Sequence, residues 1–167
     1  MCIRDRYTSS DTEQPYQIRA TELAEETVND ARVYGMSFAT QCFGAEDCVE
    51  GEFIQAFGIQ PEGFDGVRFH WFETPAGRVD FDEPVVLVGQ TAKTGQTWET
   101  VTNGETFTAT LVAFTDCPVV MAVEWEGCAE MTLESTGSSP LAGTYYAING
   151  FGIVTWENGT GGGLWQL

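Results

Sequence analysis

Residues 144–155 constrain this chain more than any other stretch. Thr144-Tyr-Tyr-Ala-Ile-Asn-Gly-Phe-Gly-Ile-Val-Thr155 crowds β-branched and aromatic residues around one Asn-Gly pair. Such residues suit a pleated, half-buried surface. Asn149-Gly150 supplies the positive φ angles of a tight hairpin turn. Two paired strands are therefore predicted, over 144–148 and 152–157. The same extended character runs back to Gly95, so the C-terminal half reads as a series of short strands.

The N-terminal half adds more of the same. From Ala31 the period is two: Val33, Gly35, Ser37 and Ala39 alternate with Tyr34, Met36, Phe38 and Thr40. Further strands are predicted over 52–58, 67–73, 79–89, 105–115, 119–124, 128–134 and 164–167. Thr74-Pro75-Ala76-Gly77 reads as a turn, with Pro fixing φ at its second place and Gly free to be left-handed. Pro84 makes 79–89 an edge strand or a broken one. Leu23, Ala24 and Val28 form a weak stripe that predicts one or two helical turns over Thr21–Asp30. Tyr7–Pro15 is polar and aperiodic, and residues 7–20 read as a loose linker. A chain of 167 residues with 43% hydrophobic and 19% charged residues forms one globular domain. No apolar run reaches the roughly 20 residues of a membrane helix.

Charge limits the partners. Twenty-five acidic residues face seven Lys plus Arg, a net charge of −18. Such a field repels phosphate backbones and anionic lipid, which argues against nucleic acid or a membrane surface as partner. A solvated acidic surface accounts for the balance. Calcium binding and adaptation to saline surroundings are the sharper readings.

Met1-Cys-Ile-Arg-Asp-Arg6 resembles translated sequencing adapter, so a non-native leader is expected there, with any export signal or lipid anchor lost. Setting Cys2 aside leaves Cys42, Cys48, Cys117 and Cys128. An even count in a small, turn-rich β domain points to disulfides and an oxidising compartment. Three pairings are possible. Cys42–Cys48 and Cys117–Cys128 are favoured because each closes a short segment. Four buried free thiols are the plainer alternative. Zinc fits less well, since Cys-x-x-Cys is absent and the single histidine is distant in sequence.

Catalytic signals are sparse. His70 lacks a sequence-visible nucleophile, and in a regular strand it shares a face with Arg68 and Phe72; a structural or surface role is expected. No nucleophile elbow, phosphate loop, dinucleotide fingerprint or metalloprotease helix occurs. Glu124 and Glu126 share a face if the strand continues through Trp125, and a glycoside hydrolase would need two such carboxylates opposing each other. Asp80, Asp82 and Glu83, and Glu46, Asp47 and Glu50, offer oxygen ligands without EF-hand spacing. No metal or cofactor is expected. The remaining feature is aromatic: core filling, or a concave face that takes an apolar ligand or stacks on sugar. Trp71, Trp98, Trp125, Tyr146 and Trp156 are the candidate ligand contacts.

Three pieces in order resemble a group of bacterial exported or lipid-anchored β proteins. They are Pro84-Val-Val-Leu-Val with Gly95-Gln-Thr-Trp98, Ala122-Val-Glu-Trp-Glu-Gly-Cys128 with Met131-Thr-Leu-Glu134, and Gly143-Thr-Tyr-Tyr-Ala-Ile-Asn-Gly-Phe-Gly-Ile-Val154. The resemblance spans about residues 66–167 and implies a half-barrel similar to periplasmic lipoprotein carriers. Asn149 departs from the pattern, and so does the N-terminal third.

The expected fold is mostly β: a single curved antiparallel sheet or half-barrel of about nine to eleven strands, with at most a short N-terminal helix. Residues 1–20 are expected to be leader and flexible linker, and 21–167 one domain. The expected role is a non-enzymatic, exported or surface-tethered module. It would bind an apolar or glycan-like ligand, or a protein partner, on a concave aromatic face. The expected location is extracytoplasmic: periplasm, cell surface or secreted. Two alternatives stand beside it: a structural or interaction domain with a filled core, and a glycoside hydrolase.

Overall fold

The computed structural model describes residues 6–8, 16–42, 49–60, 66–89, 91–117, 127–148 and 152–166. Thirteen strands follow one another: β1 Arg6–Thr8, β2 Tyr16–Glu22, β3 Glu26–Val28, β4 Ala31–Cys42, β5 Phe53–Gln60, β6 Gly66–Thr74, β7 Gly77–Gly89, β8 Thr97–Thr102, β9 Glu105–Thr115, β10 Cys128–Ser135, β11 Gly143–Ile148, β12 Gly152–Asn158 and β13 Gly161–Gln166. Every pairing is antiparallel. The main sheet runs β7-β6-β5-β4-β2-β1-β13-β12-β11-β10-β9-β8, while β3 pairs with β4 in a small second sheet. Among the described residues neither closes into a barrel. The mostly β curved sheet inferred from the sequence is therefore the fold.

The hairpin expected around 149–150 forms as β11 and β12, with Tyr145 opposite Trp156. β7 contains Pro84 and is an edge strand, as its proline requires. The strand expected over 119–124 lies outside the described residues.

Two N-terminal expectations are corrected. Residues 7–8 and 16–20 are not linker: the first lie in β1, which pairs with β2 and β13, and the second in β2, which pairs with β4 from Tyr16 opposite Cys42 to Glu22 opposite Met36. The alternation of Tyr16, Ile18 and Ala20 with Gln17 and Arg19 is the signal that marks this strand. The helical turns expected over Thr21–Asp30 are absent too. Asn29 and Asp30 both take positive φ, 49° and 63°, and turn β3 tightly into β4. Short polar side chains tolerate that region, and a ten-residue helix with a weak stripe has little to offset its nucleation cost.

Curvature comes from bulges. Pairing shifts register between Phe38 and Ala39, Gly58 and Ile59, Glu130 and Met131, and Tyr146 and Ala147. Each bulge bends its strand and sharpens the local twist. The bent sheet wraps a cluster that includes Phe38, Phe57, Phe69, Phe72, Tyr145 and Trp156. Phe57 is the hub. Its ring centroid lies 5.5 Å from Phe38, 5.4 Å from Phe69, 5.5 Å from Phe72 and 5.7 Å from Trp156. A smaller cluster of Val33, Ala56 and Trp71 packs apart from it. Gly35 and Gly58 provide the room: a Cβ at either would press on the Trp71 indole.

The two ends of the sheet, β7 and β8, lie side by side without a backbone ladder between them among the described residues. Side chains of β8 and its turn bridge the gap. Thr100 Oγ1 accepts from the Val86 amide at 3.2 Å, and Thr102 Oγ1 accepts from the Glu83 amide at 3.1 Å. Asn103 Oδ1 accepts from the Asp82 amide at 3.3 Å, while its Nδ2 donates to the Asp80 carbonyl at 2.8 Å.

Because four rings meet at Phe57, Phe57→Ala is expected to cost about 3–5 kcal/mol by urea unfolding. A loss below about 1 kcal/mol would show that the cluster collapses onto the gap and that Phe57 is not its hub.

Candidate functional site

The concave side of the sheet is occupied by the protein's own side chains. Phe57, Phe69, Leu87, Leu111, Met131 and Tyr145 are all fully buried. The four described candidate aromatics fall in two clusters: Trp156 in the main one, with Trp98 and Tyr146 packed against it, and Trp71 in the smaller. Trp156 is sealed in this interior, with its ring 4.6 Å from Phe38. Trp71 sits in the smaller cluster, where Arg78 stacks on it at 4.2 Å and Glu26 accepts from its indole N–H. Trp98 is half-buried against Gly89 beside the β7/β8 seam. Tyr146 is half-buried opposite Glu130. Its phenol is raised from its ordinary pKa by burial and by the carboxylates of Glu130 and Glu157. Trp125 lies outside the described residues.

An opening remains at one end of the molecule. There the β6–β7 turn, the β8–β9 turn and the connection from β10 to β11 surround a cleft of about 220 Å³. Phe72, Phe81, Phe107 and Val79 give it an apolar wall. Phe81 and Phe107 meet edge to face, with centroids 5.6 Å apart and planes at 74°. Thr74, Asn103, Glu105, Ser138 and Ser139 supply its polar groups. Glu105 is the only charged residue among those that line it.

Local sequence explains the walls. Asn103 and Gly104 have φ of 52° and 79°, the two successive left-handed residues of a tight hairpin turn. This turn holds Asn103 against β7 and places Glu105 at the start of β9. Glu105 Oε2 accepts from Ser135 Oγ at 2.6 Å, and Gly137 lies so close to the carboxylate that a Cβ there would overlap it. The loop is pinned further by the Thr136 amide, which donates to the Thr106 carbonyl at 3.0 Å. Leu141, at its end, is fully buried and plugs the core beside Tyr145, whose hydroxyl donates to the Leu141 carbonyl at 2.5 Å.

A polar network backs the plug. Asn158 Oδ1 accepts from the Thr160 amide at 3.0 Å, which orients Nδ2 toward Gln55 Oε1 at 3.0 Å and Tyr145 Oη at 3.3 Å. Burial pushes the Tyr145 phenol well up from its ordinary pKa and outweighs the hydrogen bond from Asn158.

The other sequence candidates sort as follows. Cys117 and Cys128 are joined, with Cα atoms 4.9 Å apart. Cys42 ends β4, and its favoured partner Cys48 lies outside the described residues, as do Glu46, Asp47, Glu124 and Glu126. His70 does not share a face with Arg68 and Phe72. It is the extra residue of a bulge, since Gly58 pairs with Trp71 and Ile59 with Phe69. The bulge breaks the alternation, exposes Arg68, and buries His70 with its Nε2 2.6 Å from Gln60 Oε1. Asp80 bonds Arg78, at 2.6 Å. Among the described residues, no group of three or more His, Cys, Asp or Glu side chains could hold a metal ion, and no helix is long and apolar enough to cross a membrane. The Cys117–Cys128 disulfide suggests an oxidising, extracytoplasmic compartment. No protein-family model, curated protein or solved structure matches the chain.

The raised Tyr145 pKa has a sign. A phenol that holds its proton more tightly when folded contributes stability fully below its unfolded pKa of about 10. That contribution is lost as pH rises past it. Denaturant midpoints taken between about pH 9 and 11 should fall more steeply in the parent protein than in Tyr145→Phe. Parallel curves would show that Tyr145 ionises freely in the folded state.

Proposed function

We propose that this chain is a non-enzymatic, extracytoplasmic binding module: a rigid β support with a filled interior that seats one small, largely apolar group in its end cleft. One observation carries the reading. The described residues pack the concave side ring against ring, yet leave a cleft of about 220 Å³ with a phenyl wall and polar groups at one end. Ligand sites of this build use apolar walls for affinity and a few polar groups for orientation.

Size narrows the ligand. Drug-sized molecules occupy sites of roughly 300–1,000 Å³. This cleft therefore suits one ring, a short branched chain or the end of a longer molecule, and a whole lipid would not fit it. Carriage of a lipid on the concave face would require displacing Phe57 and its neighbours. A sugar ring or a partner's side chain remains within its size.

The carboxylates of the cleft weigh against a glycosidase at this site, which supports the non-enzymatic reading. Acid–base cleavage of a glycoside calls for two carboxyl groups flanking the bond, and Glu105 is the one that lines this cleft. Periplasm, cell surface and secretion all accord with the disulfide.

Titration of the oxidised protein with cyclohexanol and with phenol, followed by amide chemical shifts, tests the proposal. Shifts concentrated at Asn103, Glu105, Phe107 and Ser139, and lost in a cleft-filling Ser139→Trp variant, are expected. Saturable shifts elsewhere, or none at all, would overturn it.

A further inference from the structure

We propose that the end cleft is selective for a small organic cation, an alkylated ammonium group, held between its phenyl wall and the Glu105 carboxylate. This rests on the reading of the cleft as a binding site and goes on to name its ligand class.

Three independent features agree on a positive charge. The first is the wall. Phe72, Phe81 and Phe107 contribute three rings to one small space. Aromatic rings attract ammonium groups through their quadrupoles, and several rings around one space is how alkylated ammonium ions are bound. The second is Glu105. None of the three ion pairs among the described residues involves it. Ser135, which donates to it, is a neutral hydroxyl that orients the carboxylate and brings no positive charge. No lysine, arginine or histidine lines the cleft, so a carboxylate or phosphate ligand would meet repulsion without a counter-ion. The third is the field of the whole chain. A net charge of −18 raises the local concentration of cations and depletes anions.

Volume selects among cations. A hydrated metal ion needs several converging oxygens, and the cleft offers one carboxylate with a mostly apolar surround. An alkylated ammonium spreads its charge over methyl groups, so it loses little hydration on entry and can rest against the apolar wall. The hydroxyls of Thr74, Ser138 and Ser139 remain for a polar tail.

The test compares choline with its neutral isostere, in which carbon replaces the ammonium nitrogen, and with a methyl glucoside. Affinities are measured by calorimetry on the oxidised full chain, and sites by amide shifts. Choline should bind about tenfold more tightly than the isostere, within the range of aromatic and carboxylate contacts to a cation. Glu105→Gln should reduce choline affinity about tenfold and leave the isostere unchanged. That variant keeps an oxygen to accept from Ser135, so its melting temperature should match the parent's. Higher salt should weaken choline alone. Ser139→Trp, which fills the cleft and leaves Glu105 in the chain, should abolish both.

Equal affinity for choline and the isostere, with no effect of Glu105→Gln, would overturn the cation and leave an apolar cleft standing. A preference for the glucoside would do the same. No binding of any probe would bring down the cleft as a binding site. Choline binding that survives Ser139→Trp would place the cation elsewhere and overturn the proposal.

Discussion

Packing around Phe57 is the interaction on which the rest of the molecule depends. A long antiparallel sheet has two faces to cover and two edges to protect. Here one face is bent by bulges until its own rings meet across the interior. Bending brings the edge strands β7 and β8 beside each other, where threonine hydroxyls and Asn103 take up amide groups that a ladder would have bonded. A flatter sheet would lose the ring contacts and expose those amides together. Core and seam therefore stabilise the same curvature.

The cleft is a consequence of how this curved layer ends. Strands tilt away from one another where they run out, and turn residues cover the end. Leu141 fills the centre, but the space between the two hairpin turns and the β10–β11 connection stays open. Its walls continue the core: Phe72 touches Phe57, and Phe107 touches Phe81. A small, largely apolar, partly open cleft thus arises at the end of the sheet. The acidic surface gives that site a sign.

Much of the fold was legible because period two is a strong signal. Val79–Gly89 and Glu105–Thr115 read correctly, and the Asn149-Gly150 pair marked the β11/β12 hairpin. The failures were local and have physical causes. His70 sits in a bulge, and one extra residue reverses every face assignment after it. Asn29-Asp30 is turn chemistry that a weak apolar stripe concealed. The tryptophans could not be sorted because both faces of β4 to β6 bury residues, so alternation does not say which face is inside. Trp156 and Trp71 look alike in sequence and lie in different clusters. The cleft was illegible for another reason. Phe72, Asn103, Glu105 and Ser139 come from three separate stretches of the chain, and only the bending of the sheet brings them together. Thr74-Pro75-Ala76-Gly77 was a sequence signal beside it, and it marks a turn rather than a site.

The central claim is a filled interior with a small end cleft, as opposed to a hollow half-barrel. The most direct measurement is fluorescence of Nile red, a neutral apolar dye larger than the cleft, added to the native oxidised protein. The account predicts emission no different from buffer until the protein is unfolded. A saturable, one-to-one rise in emission under native conditions would contradict it, since it would require an apolar cavity where Phe57, Phe69 and Trp156 are packed.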